Sequence, residues 1–226
     1  VGVAVGAVSH NEDALTRIGN MLSEEEVSED DLRGELDGLR QSSALALANL
    51  RRAASLVQSF KRTSIDQSGE QARVFDLREL IDDVLHSLQN QLKRLPVTID
   101  VDCPAHLKID GLPGLLEQLM TNLLLNSVTH AFDHGARSGQ IIIRATRHGE
   151  HLHLEYADTG SGMTQDVLDR LFEPFFTTRR GEGGSGLGMY ICHNIVHARL
   201  GGTITCQSKP EAGVRFLIDF PARFVE

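Results

Sequence analysis

Through the first sixty residues, apolar side chains recur at steps of three and four. Positions 1, 4, 8, 11, 15, 18 and 22 read Val, Ala, Val, Asn, Leu, Ile and Leu. After a polar break, positions 32, 36, 39, 43, 46, 50, 53, 57 and 60 read Leu, Leu, Leu, Ser, Ala, Leu, Ala, Val and Phe. A repeat near 3.5 residues marks helices packed side by side, so residues 1–66 are read as a helical hairpin. The break SEEEVSEDDL offers Ser28 as an N-cap with Asp31 three residues on, and its acids suit the positive end of the second helix. Antiparallel pairing about a turn near residue 27 sets Leu22 against Leu32 and Val1 against Ala53. The second seam then overruns the first by about two turns, ~10 Å. That overhang, with an opening Val, predicts a first helix truncated at its N-terminus. One seam per helix leaves flanks unburied, and the small Ala46, Ala53 and Ala54 suit a four-helix bundle built by two chains. A homodimer is expected.

The period is lost over residues 61 to about 73, a Gly- and Ser-containing linker. Residues 74–226 then read as one mixed domain. RVFDL, VTIDV (97–101) and LKID are strand candidates. Leu80, Ile81, Val84, Leu85, Leu88 and Leu92 mark an amphipathic helix, and Pro113 opens another that runs to about residue 131. GQIIIRATRHGEHLHLEYADTG reads as a hairpin turning at His148-Gly149-Glu150. A Gly-rich stretch covers 159–186, a helix follows at 187–200, and GGTITCQS…GVRFLIDF closes with a second hairpin. Without regular βαβ spacing, the fold class is α+β.

Composition narrows the function. Of 226 residues, 22 are Lys or Arg and 31 Asp or Glu, a formal net charge of −9. Duplex nucleic acid, which is held by neutralising phosphates with basic side chains, is disfavoured as a partner. Cys103, Cys192 and Cys206 are odd in number and widely spaced, which argues against a disulfide framework and for a reducing compartment. No apolar run approaches the ~18–20 residues that span a bilayer, so this chain is expected to be cytoplasmic and to make no membrane contact. A membrane-anchored parent protein is compatible with that.

Seven of the 21 glycines lie within residues 160–188. Asp158-Thr-Gly160-Ser-Gly162 ends a strand, where Asp offers an acceptor and the glycines allow close backbone approach. Gly184-Ser-Gly186-Leu187-Gly188 opens a helix, where exposed N–H groups can receive an anion; a mobile surface loop explains each glycine cluster equally well. Asn122 and Asn126 share a helix face in an apolar run, where carboxamides need partners. Their oxygens suit a hard cation such as Mg²⁺, although a polar helix-to-loop contact is the alternative. His10 lies on the first helix. His151 and His153 are read as an exposed strand face, and the i, i+4 pair His193 and His197 as helix surface.

Taken in order, Asn122-x-x-x-Asn126, Asp158-x-Gly160-x-Gly162, Phe172-Glu-Pro-Phe175-Phe-Thr-Thr and Gly184-x-Gly186-Leu187-Gly188 resemble the N, G1, F and G2 boxes of sensor histidine kinases. Those kinases belong to the GHKL ATPase superfamily, shared with gyrase, mismatch-repair and chaperone ATPases. The resemblance covers about residues 74–226 and implies a GHKL-type α/β sandwich that binds ATP. The hairpin before it resembles the dimerisation and phosphotransfer hairpin of the same kinases.

The resemblance implies that Asp158 bonds the adenine amino group, and that Asn126, with Asn122, holds Mg²⁺ on the triphosphate. Residues 161–186 would be the ATP lid, with Phe172 and Phe175 as its apolar anchor and Gly184, Gly186 and Gly188 as phosphate donors. His130 takes a position often aromatic or basic near the nucleotide. Thr129 stands where the family often has Lys, and Arg179 or Arg180 is expected to compensate, unless both are solvated lid charges. Asn122 replaces the water-activating Glu of the superfamily's hydrolases and cannot act as a base. The implied activity is transfer of the γ-phosphoryl group of Mg·ATP to a His and then to an Asp of a response-regulator receiver domain. His10 lacks the Thr-Pro of the family's His-Glu-x-x-Thr-Pro box, so the phosphoacceptor is expected to be missing and the fragment not to label itself. Two other readings remain open: a dimeric nucleotide-binding or partner-docking module, and a GHKL ATPase.

Overall fold

The computed structural model describes residues 2–23, 28–64, 71–179 and 184–225, without the side chains of 51–52 and 54–64. Arg180, Gly181 and Gly183 therefore lie outside the described residues. The chain forms two compact units, Val1–Ser64 and Ile65–Glu226.

The first unit is α1 (Gly2–Met21) and α2 (Glu29–Ser64). They run antiparallel: Asn11 Nδ2 donates to Ser43 Oγ at 2.9 Å, and the Arg17 guanidinium forks onto Glu35 at 2.8 and 2.9 Å. Ser28 Oγ accepts the Asp31 N–H at 3.4 Å, as an N-cap should. The expected seam is only half correct among its described positions, and Val1 and the side chains of Val57 and Phe60 lie outside them. Positions 4, 11 and 18 face inward with 32, 39, 46 and 53, but the rows 8, 15, 22 and 36, 43, 50 turn outward. Val8, Leu15 and Leu22 are 47%, 58% and 62% exposed, while Ala4, Ala7 and Ala14 are buried. Contact runs instead through 7, 14, 21 and 35, 42, 49. The reason is size. Alanines let the backbones approach, and the larger aliphatics one position on line a second face with a seven-residue repeat.

The second unit holds β1 (Arg73–Asp76), α3 (Leu77–Ser87), α4 (Gln89–Leu92), β2 (Val97–Asp102), β3 (Lys108–Gly111), α5 (Pro113–Asn126), β4 (Gly139–His148), β5 (His151–Asp158), α6 (Gln165–Asp169), α7 (Gly188–Asn194), β6 (Thr203–Ser208), β7 (Val214–Pro221) and β8 (Arg223–Val225). Five strands form one sheet in the order β2-β4-β5-β7-β6, and β1-β3-β8 form a second. Among the described residues β2 and β4 pair in parallel, and the other pairs in both sheets are antiparallel.

Strand alternation decides which face is covered. Ile141, Ile143, Ala145, Leu152, Leu154, Tyr156, Phe216, Ile218 and Phe220 are buried, in one core with Ile81 and Val84 of α3, Leu119, Met120, Leu123 and Leu124 of α5, and Cys192 of α7. Between them stand Arg144, Glu155 and Arg215, joined by ion pairs on the polar face. His151 and His153 lie there too, both on the Asp219 carboxylate at 2.7 and 2.9 Å. Each fully buried aliphatic stabilises the fold by about 1.5–3 kcal/mol. This two-layer core fixes the end of β5 beside the end of α5.

Candidate nucleotide site

The helix opened by Pro113 does not stay α-helical to residue 131. After Asn126 it widens into a π turn over Ser127–Ala131, and Phe132 N–H reaches back to Ser127 C=O at 2.9 Å. Such turns free carbonyls from the regular ladder. The loop after β5 uses them: Ser161 N–H donates to Ala131 C=O at 3.1 Å, and Ser161 Oγ donates to His130 C=O at 3.0 Å.

Asp158 ends β5 and is 7% exposed. Its Oδ2 accepts from Ser127 Oγ at 2.7 Å and its Oδ1 from Gly160 N–H at 3.0 Å. Burial raises its pKa above the usual carboxylate range, opposed by hydrogen bonds from Ser127, Gly160 and Val214. Beyond Ser127, Tyr156 OH donates to Ser127 Oγ at 2.8 Å. Neither Ser127 nor Tyr156 was singled out by motif. The available signal was a Ser next to Asn126 in an apolar run, and a Tyr among aliphatics on the inward row of β5.

Asn122 and Asn126 do converge, on the start of α7. Asn122 Nδ2 donates to Gly188 C=O at 3.4 Å, and Asn126 Nδ2 lies 2.9 Å from Met189 Sδ. A Cβ at Gly188 would stand 3.8 Å from Asn126 Oδ1. Each amide thus engages α7 through its NH₂, and its carbonyl oxygen is the atom a hard cation would take. Asn122 also bonds Cys192, whose thiol is pushed up to about 12 by burial. These donor oxygens fit Mg²⁺ held with phosphates, and Asp158 fits a purine amino group. Among the described residues no cluster of three His, Cys, Asp or Glu is placed to bind a metal on its own.

The glycines mostly serve the protein's own backbone. A Cβ at Gly160 would meet Ala131 Cβ at 2.3 Å, and Gly162, at φ +66°, would meet Lys209 C=O at 1.9 Å. Gly184 N–H donates to Arg179 C=O at 3.2 Å. Gly186, at φ +67°, lies under the Phe175 carbonyl. Leu187 packs with Leu115, Ile191 and Ile195 in an apolar cluster.

The lid anchor needs a correction. Phe172 packs on the core and lies 5.2 Å from the His193 ring, which in turn lies 4.2 Å from His197. Phe175, however, is 55% exposed at φ +65°. The left-handed turn there points it outward, and Phe176 takes the inner place under Arg170 at 4.4 Å. Arg179 Nη2 pairs with Asp133 Oδ1, and Thr178 Oγ1 lies 3.4 Å from His130 Nδ1.

Residues 111–223 match the family model described as "Histidine kinase-, DNA gyrase B-, and HSP90-like ATPase". The chain is 31% identical over 205 residues to the signal transduction histidine-protein kinase BaeS of Escherichia coli, covering 84% of this chain and 43% of that protein. It is 33% identical over 148 residues to the sensor histidine kinase ZraS of Klebsiella oxytoca, covering 65% of this chain and 30% of that one. It spans less than half the length of these relatives. The solved catalytic domain of histidine kinase ThkA is similar in fold, with a TM-score of 0.58 at 24% identity, over 67% of this chain and 95% of that one. Full-length ShkA, solved with AMPPNP, gives a TM-score of 0.63 at 18% identity, over 99% of this chain and 46% of that one.

Proposed function

The chain belongs to the histidine kinase-, DNA gyrase B- and HSP90-like ATPase family, and from that premise we propose that it is the ATP-dependent catalytic core of a two-component sensor histidine kinase. The observation that carries this reading is the meeting of Asp158, through Ser127, with the helix end that bears Asn122 and Asn126. Asp158 selects the base through its amino group. Asn126, with Asn122, presents amide oxygens to Mg²⁺, which would supply charge neutralisation on the triphosphate. Gly188 leaves room beside Asn126, and Arg179 with His130 lies on the lid side. Gly160 and Gly162 close the loop that carries Asp158, and Gly184, Gly186 and Leu187 shape the approach to α7.

Phosphoryl transfer to an imidazole, rather than to water, is supported by Asn122. Its amide is engaged with α7, and Glu117, the nearest acid along α5, is exposed on another face. Among the described residues of α5, no base stands where a hydrolase needs one. From the imidazole the group passes to an Asp of a response-regulator receiver domain; ThkA has been solved in complex with the response regulator protein TrrA. The outward row Val8, Leu15, Leu22 supports homodimerisation through the hairpin. No described helix is long and apolar enough to cross a membrane, and a cytoplasmic place for this part agrees with its free cysteines.

Radiolabelled ATP, given to this chain alone and with an added sensor hairpin bearing the His-Glu-x-x-Thr-Pro box, tests the reading. Acid-labile label on the added hairpin only is the expected result. Label on His10 would overturn the acceptor assignment. Absence of Mg·ATP binding would overturn the kinase reading in favour of a partner-docking module.

A further inference from the structure

Under the site, three side chains form a line. Tyr156 OH lies 2.8 Å from Ser127 Oγ, which lies 2.7 Å from Asp158 Oδ2. Their residues are 0%, 2% and 7% exposed. The direction of each bond follows from chemistry. An ionised carboxylate only accepts, so Ser127 donates to Asp158 and uses a lone pair for the Tyr156 hydroxyl. Backbone N–H groups of Gly160 and Val214 complete the protein's contacts to the carboxylate. Cys206 of β6 is held as a thiol, pushed up to about 12 by burial and then by the charge of Asp158.

A carboxylate offers about four lone-pair sites. Three donors from the protein leave one. The last torsion of Asp is soft, with a broad sp³–sp² profile, so hydrogen bonds rather than the rotamer hold the plane of the group. Among these donors only Ser127 comes from the α5 side, and Tyr156 orients Ser127 in turn. We infer that Ser127 and Tyr156 are positioning residues for base recognition: they hold the Asp158 carboxylate so that its one remaining acceptor site takes a 6-amino purine and rejects a base without that group. This rests on the reading of Asp158 as the base-selecting residue. A 6-oxo purine would set acceptor against acceptor in a buried place, and a purine with hydrogen at C6 would leave the acceptor unpaired. Freed from Ser127, the carboxylate turns and the distinction weakens.

The experiment is equilibrium binding of ATP and of purine riboside triphosphate, which lacks the 6-amino group, to the whole chain. Four variants join the parent: Ser127→Ala, Ser127→Thr, Tyr156→Phe and Asp158→Ala. The parent is expected to prefer ATP by about tenfold or more, the size of one charge-assisted hydrogen bond. Ser127→Ala should lower that preference to about threefold or less by weakening ATP alone, and Ser127→Thr, which keeps the hydroxyl, should restore it. Tyr156→Phe removes one oxygen from an otherwise unchanged packing surface and should give an intermediate ratio. In Asp158→Ala the preference should vanish. An unchanged ratio in both Ser127→Ala and Tyr156→Phe, or equal weakening of both nucleotides, overturns the positioning role while leaving Asp158 in place. Equal affinity of the parent for both nucleotides removes the Asp158 assignment and the positioning role together. Failure of the parent to bind either nucleotide instead removes the proposed function.

Discussion

Arg179 Nη2 lies 2.5 Å from Asp133 Oδ1, which ties the segment after Phe176 to the turn that ends the α5 helix. Asp133 and His134 both adopt positive φ, 47° and 53°, a strained arrangement for non-glycine residues. The Arg179 guanidinium holds the Asp133 carboxyl below its usual range. Phosphate would compete with that carboxylate for Arg179. Asp133→Asn is therefore expected to tighten ATP binding by about threefold, a modest effect because exposed pairs are screened. Arg179→Ala should weaken ATP and leave adenosine unchanged. Calorimetric titration of both ligands checks this, and weaker ATP binding in Asp133→Asn would mean that the carboxylate holds Arg179 for the phosphate rather than away from it.

Adenosine binding should depend on pH through Asp158. Only the ionised carboxylate accepts from an amino group, and burial has raised its pKa in the folded protein. Affinity is thus low near the ordinary Asp value of about 3.9, rises with pH through the raised value, and is flat above it. Folding runs the other way over the same window. There the folded state binds more protons than the unfolded one, so this group's contribution to stability falls as pH rises. Adenosine, which carries no phosphate, isolates the effect, and Asp158→Ala should abolish the rise.

Much of this fold and site is legible in the sequence. The alternation of Ile141, Ile143 and Leu152, Leu154 specified the hairpin and its buried face, because a strand's period of two cannot be shifted without exposing the row. Asn122 and Asn126 were conspicuous because carboxamides are rare in an apolar helix face. What escaped was set by packing at a distance. The outward turn of Leu15 depends on how closely Ala14 lets the helices approach. The exposure of Phe175 depends on a single positive φ. Ser127 gains its role from a π turn that no local pattern announces, and from Asp158, which is 31 residues away.

Gly162 and Gly149 separate backbone strain from steric conflict. Both hold positive φ, 66° and 63°, but a Cβ at Gly162 would stand 1.9 Å from Lys209 C=O, whereas at Gly149 it would meet open space. Gly149→Ala should cost the left-handed penalty alone, about 1–2 kcal/mol. Gly162→Ala carries that and displaces the β6–β7 turn, so a loss of roughly 3 kcal/mol or more is expected. Thermal unfolding of the whole chain measures the difference. Equal shifts would show that the turn at Lys209 yields without resistance.

The hairpin's outward row gives the last expectation. Val8 and Leu15 on α1 and Leu22 just past its end recur every seven residues, and Leu36 and Leu50 stand 45% and 52% exposed on α2. Aliphatic rows of this regularity bury themselves against like rows in helical bundles. The hairpin's own contact mixes small and polar residues, Asn11 being bonded to Ser42 and Ser43, with Ile18, Met21, Leu32 and Leu39, and leaves the aliphatic row outside it. A second hairpin packed on the aliphatic row would supply what is missing. Sedimentation equilibrium should therefore find a dimer, and Leu15→Glu with Leu36→Glu should yield monomers at the same concentration. Asn122, Asn126 and Asp158 lie in the other compact unit, so adenosine affinity per chain should be unchanged in that variant. A monomeric parent would remove the dimer from the proposal, and a dimer that survives both glutamates would place its interface on another face.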